Sequence, residues 1–394
     1  MKMFRNFSLF LLSFLFLADP SIAADSPPAQ APAANDNAAI KARFNEALKH
    51  LDSGGDFVLV SDFSGSLEKI FMEITDTIEL IAELDAPGAD DVRSIMAKAN
   101  AFLGKSGFYS ARNLGISSIP SGKDKYTFKM YLQRDASAAD MPLWRALCGK
   151  PDKKITCVDY LPPDTVLAIA ESGEPGQTWK MIQTGIKEIA KPATAAEFES
   201  GVISVGKKIG MDIETLANSL GDEWFISLQL STSNTVHLGE QASIPEPSLL
   251  IGIALKDKSL PSLIEKQLAT NRIPFTASKI GETSLTAIML PIPLPVPITP
   301  SYTVHSGMLL FGSNPRVVAK AVDCATKKNG LVSIPEFKAS AVSQPASYSG
   351  LTYVNRRLWD AVMELQTSSI YASANDLGNT AERQKKFKAL YDRN

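Results

Sequence analysis

Residues 164–190, DTVLAIAESGEPGQTWKMIQTGIKEIA, contain a complete strand-then-helix unit. Residues 165–170 form a short, mostly apolar run, which the Gly and Pro residues after it bring to an end; this pattern is typical of a buried strand. From residue 177 to 190, apolar side chains recur every three or four positions, which predicts an amphipathic helix. This unit is the pattern from which the remainder of the chain can be interpreted.

The same plan occurs on both sides of this unit. Residues 57–60 predict a strand, followed by a long helix with an apolar side formed by Leu67, Ile70, Phe71, Ile74 and Ile78. Residues 350–354 and 356–365 predict another strand and helix. The units are unevenly spaced, so they indicate a degenerate internal repeat and not a solenoid of fixed period.

Further strands lie between the units. The segment KYTFKMYLQ, residues 125–133, alternates apolar and polar residues and predicts a half-buried strand with Tyr126, Phe128, Met130 and Leu132 on its covered face. EWFISLQL, PSLLIGIAL and MLLFGS predict similar strands. Hairpin-like strands mixed with helices indicate an α+β fold, with antiparallel sheets and helices packed on one face.

The N-terminus has the pattern of a secretory signal peptide. Lys2 and Arg5 precede an apolar run at 7–17, and the small residues Ser21 and Ala23 fit cleavage after Ala23. The apolar run is too short to span a bilayer, and no later segment is apolar enough to do so. We therefore expect a periplasmic or secreted protein without a transmembrane span in the mature chain.

The remaining boundaries follow from composition and pattern. Residues 24–38 are rich in Pro, Ala and Asn, which predicts a disordered linker. We expect an N-terminal α+β unit at 39–157, a central α+β unit at 158–346, and the start of a further strand-helix unit at 347–394.

Charge argues against a nucleic-acid partner. Removing the signal peptide, with Lys2, Arg5 and Asp19, changes the formal net charge from −2 to −3, and both signs are interspersed along the chain. Nucleic-acid binding requires clustered Lys and Arg, so we expect no nucleic-acid partner. The partner we expect instead is another envelope or secreted protein, and no motif predicts a cofactor or a metal.

Three cysteines are present. Cys148 and Cys157 are separated by a short, turn-like segment, and in an oxidising compartment this spacing is compatible with a disulfide. Cys324 is not part of this possible pair, and its apolar neighbours favour a buried thiol.

Two motifs suggest chemistry. Gly201, Gly206 and Lys207 have the spacing of a phosphate-binding loop, but Lys208 replaces the required Ser or Thr, and the surrounding periodicity predicts a helix through both glycines. Ser66 and Lys69 match S-x-x-K, a weak catalytic pattern whose simpler interpretation is the first turn of a helix. A folded arrangement of a serine with a histidine is the other form of a secreted hydrolase.

Residues 290–300, LPIPLPVPITP, alternate proline with apolar residues. Because proline removes every second backbone donor, this segment cannot form a central strand. It presents Leu290, Ile292, Leu294, Val296 and Ile298 either as a docking edge for a partner or as a stiff arm whose prolines block aggregation.

Several segments between about 160 and 365 resemble a family. YLPPDTVLAIAESG, LGDEWFISLQL, PSLLIGIALKDKSLPSLIEKQL and HSGMLLFGSNPRVVAKAV occur in an order similar to that of the secreted bacterial domain-of-unknown-function family numbered 3352. The resemblance implies an extracytoplasmic, non-enzymatic α+β protein and carries over no catalytic residue. The segment at 290–300 departs from the family pattern.

Three functions therefore remain open. The leading hypothesis is a non-catalytic extracytoplasmic binding or scaffold protein. The alternatives are a secreted hydrolase that uses Ser66 with Lys69 or a histidine, and a carrier of an apolar ligand between sheet and helices.

Overall fold

A computed structural model describes residues 34–84, 89–122, 125–150, 154–238, 242–289, 298–341 and 349–376. The pattern of contacts within the chain divides it after Glu46 into a short N-terminal unit and a main unit from Ala47 onward. The boundaries expected after residues 157 and 346 both lie inside the main unit.

The helices of the described part are α1 (Ala34–Leu48), α2 (Ser66–Leu84), α3 (Ala89–Ser106), α4 (Pro142–Cys148), α5 (Pro175–Ile189), α6 (Pro192–Ile209), α7 (Ile213–Ser219), α8 (Ser259–Thr270), α9 (Pro315–Lys327), α10 (Pro335–Ala341) and α11 (Arg356–Asp376). The strands are β1 (Phe57–Asp62), β2 (Ala111–Gly122), β3 (Lys125–Arg134), β4 (Thr165–Ser172), β5 (Leu220–Leu238), β6 (Ala242–Leu255), β7 (Phe275–Ile280), β8 (Thr283–Ile288), β9 (Ser301–His305), β10 (Met308–Gly312) and β11 (Gly350–Val354).

The strands form two antiparallel sheets. The small sheet has the order β1-β2-β3, and the large sheet has the order β11-β4-β5-β6-β10-β9-β8-β7. The predicted α+β class with antiparallel sheets is confirmed. Strand β11, which we expected to begin a further unit, is an edge strand of the large sheet, with Leu351 paired to Ala170 of β4.

Helices cover both faces of the large sheet, whereas we expected them on one face. Neighbouring residues of a strand point to opposite faces. On one face, Leu310 of β10 packs in the main core with Val318 of α9. On the other face, Leu309 packs with Leu268 of α8. Since successive residues of β10 are both buried, a single helical layer could not cover them.

A close approach of two strands shapes the main core. Gly252 of β6 is paired with Phe225 of β5, and both belong to the face that α9 covers. A Cβ atom at Gly252 would lie 2.0 Å from the Phe225 ring. Glycine is therefore required there, because the ring of a fully buried phenylalanine occupies the space of a side chain.

A buried carboxylate attaches a short 3-10 turn at Cys157–Tyr160 to β5. Glu223 is 4% exposed and accepts hydrogen bonds from the backbone N–H groups of Thr156 (2.8 Å) and Cys157 (2.7 Å). It also accepts one from the Thr156 hydroxyl at 3.0 Å. A buried charge is tolerated when such donors surround it, so this cluster holds the turn against the sheet.

We expect Glu223→Ala to lower the free energy of unfolding by about 2 kcal/mol, because it leaves the buried N–H of Cys157 without its acceptor and removes two part-buried hydrogen bonds from Thr156. Glu223→Gln keeps one acceptor oxygen and should lose less. The measurement is urea unfolding followed by circular dichroism. Glu199→Ala, at an exposed position of α6, is the control and should change stability by less than about 0.5 kcal/mol. Equal stability of all variants would show that the carboxylate does not hold the turn.

Candidate interaction surface

Of the residues proposed for hydrolysis, Ser66 and Lys69 lie one turn apart on α2, whereas the histidines His50 and His305 lie outside this helix. Ser66 begins α2, where its backbone N–H bonds to the Phe63 carbonyl at 2.8 Å, and Lys69 is exposed one turn later. His50 stacks on Tyr131 of the small sheet with ring centroids 4.2 Å apart. His305 lies at the end of β9, with its Nδ1 3.1 Å from the Tyr160 hydroxyl. These positions belong to three different parts of the main unit.

The spacing that matches a phosphate-binding loop has a structural explanation. Gly201, Gly206 and Lys207 all lie inside α6, which confirms the predicted helix. Within the described ranges, no group of three His, Cys, Asp or Glu side chains is arranged to hold a metal ion.

The expected disulfide is not formed, since Cys148 and Cys157 are both free thiols, as is Cys324. The reason is that the two residues pack in different clusters. Cys148 ends α4 and packs with Trp144, Ala111 and Ala138. Cys157 belongs to the main core, where its Sγ lies 3.7 Å from the Trp224 carbonyl oxygen.

Most of the proline-alternating segment at 290–300 lies outside the described residues. Leu290, Ile292, Leu294 and Val296 lie outside the described residues. Ile298 is described, and it is 42% exposed. The docking edge predicted for this segment stays a prediction.

Two surface cavities accompany the helices. One, of about 300 Å³, is lined by Trp179, Trp224, Ile182, Ala146, Pro175 and other uncharged residues. The indole N–H of Trp179 is buried, with no acceptor among the described residues. The other, of about 450 Å³, lies beside the start of α8 and includes Lys258, Lys266 and two serines. The first cavity suits an apolar group, and the ionisable side chains of the second are both lysines.

The most unusual surface is one face of the small sheet. Because β1 and β3 both pair with β2, side chains of alternate residues from the three strands share this face. We call its central part the apolar face and define it by nine residues: Phe57, Leu59, Ser61, Leu114, Ile116, Ser118, Phe128, Met130 and Leu132. Pro120 of β2 and Arg134 of β3 continue the same alternation at its ends. Phe128 is 66% exposed, Met130 is 76% exposed and Leu59 is 56% exposed.

The opposite face of the small sheet is covered, and it is the more polar one. Its positions are Val58, Val60, Asp62, Asn113, Gly115, Ser117, Lys129, Tyr131 and Gln133. Leu51 lies against Gly115, where an added Cβ would come within 2.6 Å of it. Lys129 Nζ bonds to Asp52 at 2.9 Å, and the Asp52 N–H donates to Ser117 Oγ at 3.1 Å. Both Ser117 and Asn113 are completely buried.

The small sheet therefore has inverted polarity, with apolar side chains towards solvent and polar side chains beneath. We expected the face of Phe128, Met130 and Leu132 to be the covered one, and this was wrong. Alternation shows that these side chains share a face, but it contains no information about which face is covered. Phe57 and Leu59 were missed as surface residues, although their own alternation in β1 was a usable signal.

Comparison with family models, with curated proteins and with solved structures finds no match. Among the helices that the structure describes, none has the length and hydrophobicity needed to cross a membrane.

We expect the purified, non-reduced protein to titrate three thiols with a chromogenic disulfide reagent after denaturation. In the native protein at about pH 8, Cys324 should react slowly, because burial raises the pKa of its thiol to about 11 and keeps it protonated. Burial also raises the pKa of the Cys148 thiol. A denatured sample with only one reactive thiol would contradict the free state of Cys148 and Cys157.

Proposed function

We propose that this protein is a non-catalytic, extracytoplasmic binding or scaffold protein that attaches to its partner through the apolar face. The observation that carries this proposal is the inverted polarity of the small sheet. Soluble proteins keep large apolar side chains of a sheet against their own core, and a contiguous exposed patch of them marks an interaction site. Phe57, Leu59, Phe128, Met130 and Leu132 form such a patch.

The extracytoplasmic part of the proposal is supported by the N-terminal sequence. Lys2 and Arg5, the apolar run at 7–17 and the small residues before the cleavage position have the order of a secretory signal. The resemblance to the secreted family numbered 3352 implies the same location and no catalytic residue.

The patch is large enough to contribute substantially to binding. At about 200 Å² for a fully exposed large side chain, its five most exposed members present about 500 Å². Removing this area from water contributes about 12 kcal/mol at 25 cal/mol per Å². Association costs about 4–15 kcal/mol, so the face can provide a large share of the free energy that a specific complex needs.

A second candidate function, a carrier of an apolar ligand, is favoured by the cavity beside Trp179 and Trp224. Its volume of about 300 Å³ is at the lower limit of ligand pockets, and its named lining side chains are apolar or aromatic. A ligand there would lie between α5 and β5, as the sequence hypothesis placed it.

We expect Met130→Lys to lose partners at least tenfold in a crosslinking pull-down from envelope extract, because it places an unpaired ammonium group inside the contact. The bait is the mature chain, residues 24–394, purified from the periplasmic fraction of cells that express the full sequence. Its measured mass also tests whether cleavage occurs after Ala23. Ile203→Lys, at a residue of α6 that is 57% exposed, is the matched control. Capture of the same partners by all three proteins would remove the apolar face from the proposal.

For the carrier function, a fatty acid short enough for the cavity beside Trp179 should raise the melting temperature of the wild type through preferential binding to the folded state. Ile182→Phe fills the cavity and should abolish this shift, whereas Ile203→Phe at an exposed position should keep it. No shift across a lipid panel would exclude this function for the compounds tested.

A further inference from the structure

We propose that the occupant of the apolar face is a second copy of this chain, so that two small sheets pack face to face in a symmetric dimer. This inference rests on the proposed function of the face and names its partner. Three observations favour a second copy: the geometry of the sheet, the absence of charge on the apolar face, and its area.

The small sheet has the form of one half of a β-sandwich. Sandwiches pack two sheets about 10 Å apart, with apolar side chains of both inner faces interdigitating. The small sheet has three strands, one covered face and one apolar face with Ile116 of the middle strand at its centre. A twofold axis in the plane between two such sheets would bring Ile116 of each copy towards the other.

Two copies of the apolar face could also meet without repulsion between like charges. None of the nine positions that define this face carries an ionisable side chain, and a face that meets its own copy must avoid like charges. The next residue on the same side of β3, Arg134, lies at the end of the face, with its guanidinium carbon 5.8 Å from the centroid of the Trp144 ring. The polar members are Ser61 and Ser118, and Ser118 is 2% exposed between its strand neighbours Phe57 and Phe128. Adhesion to an anionic lipid surface would instead favour Lys and Arg around the apolar residues.

The area meets the requirement of a dimer. Each copy contributes about 500 Å² from the five most exposed side chains, so the pair buries about 1,000 Å² before neighbouring residues are included. This total is at the threshold of about 1,000 Å² for a biological interface, and the residues around the five side chains would add the area that brings it into the range of specific complexes. Phe57 and Phe128, whose ring centroids lie 6.3 Å apart, and the flexible Met130 supply the aromatic and methionine side chains that interfaces favour.

The test is sedimentation velocity of the mature chain at micromolar concentration. We expect a dimer for the wild type and for Ile203→Lys, and a monomer for Met130→Lys, with its dissociation constant raised at least a hundredfold. Circular dichroism melting verifies that Met130→Lys is folded. A dimer that persists in the folded Met130→Lys variant would overturn the inference, because the copies would then meet through another surface.

Thiol labelling of a Met130→Cys variant separates the possible failures. In a dimer we expect slow labelling that accelerates on dilution. A monomer with fast labelling would overturn the inference that a second copy occupies the face, and would leave the face free for a different partner. Binding of that monomer to phosphatidylglycerol vesicles would identify a lipid surface as that partner. A monomer with slow labelling that becomes fast in urea would show that the chain itself covers the face, and would overturn both the inference and the proposed function.

Discussion

The buried carboxylate of Glu223 is the constraint on which the main core depends. One of its oxygens accepts hydrogen bonds from the N–H groups of Thr156 and Cys157, which fixes the start of the turn. The turn thereby places Val158, Tyr160 and Leu161 in the core beside the large sheet. The Leu161 carbonyl then accepts the N–H of Leu331 at 2.7 Å, which attaches the segment between α9 and α10. One buried charge thus connects β5, the turn and the helices that cover one face of the sheet.

The two sheets of the main unit contact water in different ways. The central strands of the large sheet have helices on both faces, and their largest buried side chains, such as Phe225, Leu250 and Leu310, are apolar. The small sheet conceals a polar network formed by Asp52, Ser117 and Lys129 and leaves its apolar side towards solvent. Such an arrangement is costly for an isolated chain, and it becomes favourable once something apolar covers the face.

The local parts of this fold were predictable from sequence, and the long-range parts were not. Periodicity identified β4 with α5 and the helix through Gly201, because both patterns are set by neighbours a few residues apart. It could not show that β11 pairs with β4, nor which side of β3 is covered, since both depend on distant segments. The same limit applies to Cys148 and Cys157, whose short separation in sequence does not reveal that different clusters surround them. For the apolar face, the residues were visible in the alternation but their exposure was not.

The pairing of β11 with β4 has a consequence for biogenesis. Some 180 residues separate the two strands, so the edge of β4 that β11 covers stays unpaired until residues 350–354 have been synthesised. Until residue 354 has emerged, the backbone donors and acceptors of β4 along that edge can pair with any extended segment nearby. Completion of the large sheet is therefore a late step in the folding of the main unit, and the exposed edge of β4 favours wrong strand pairing before that step.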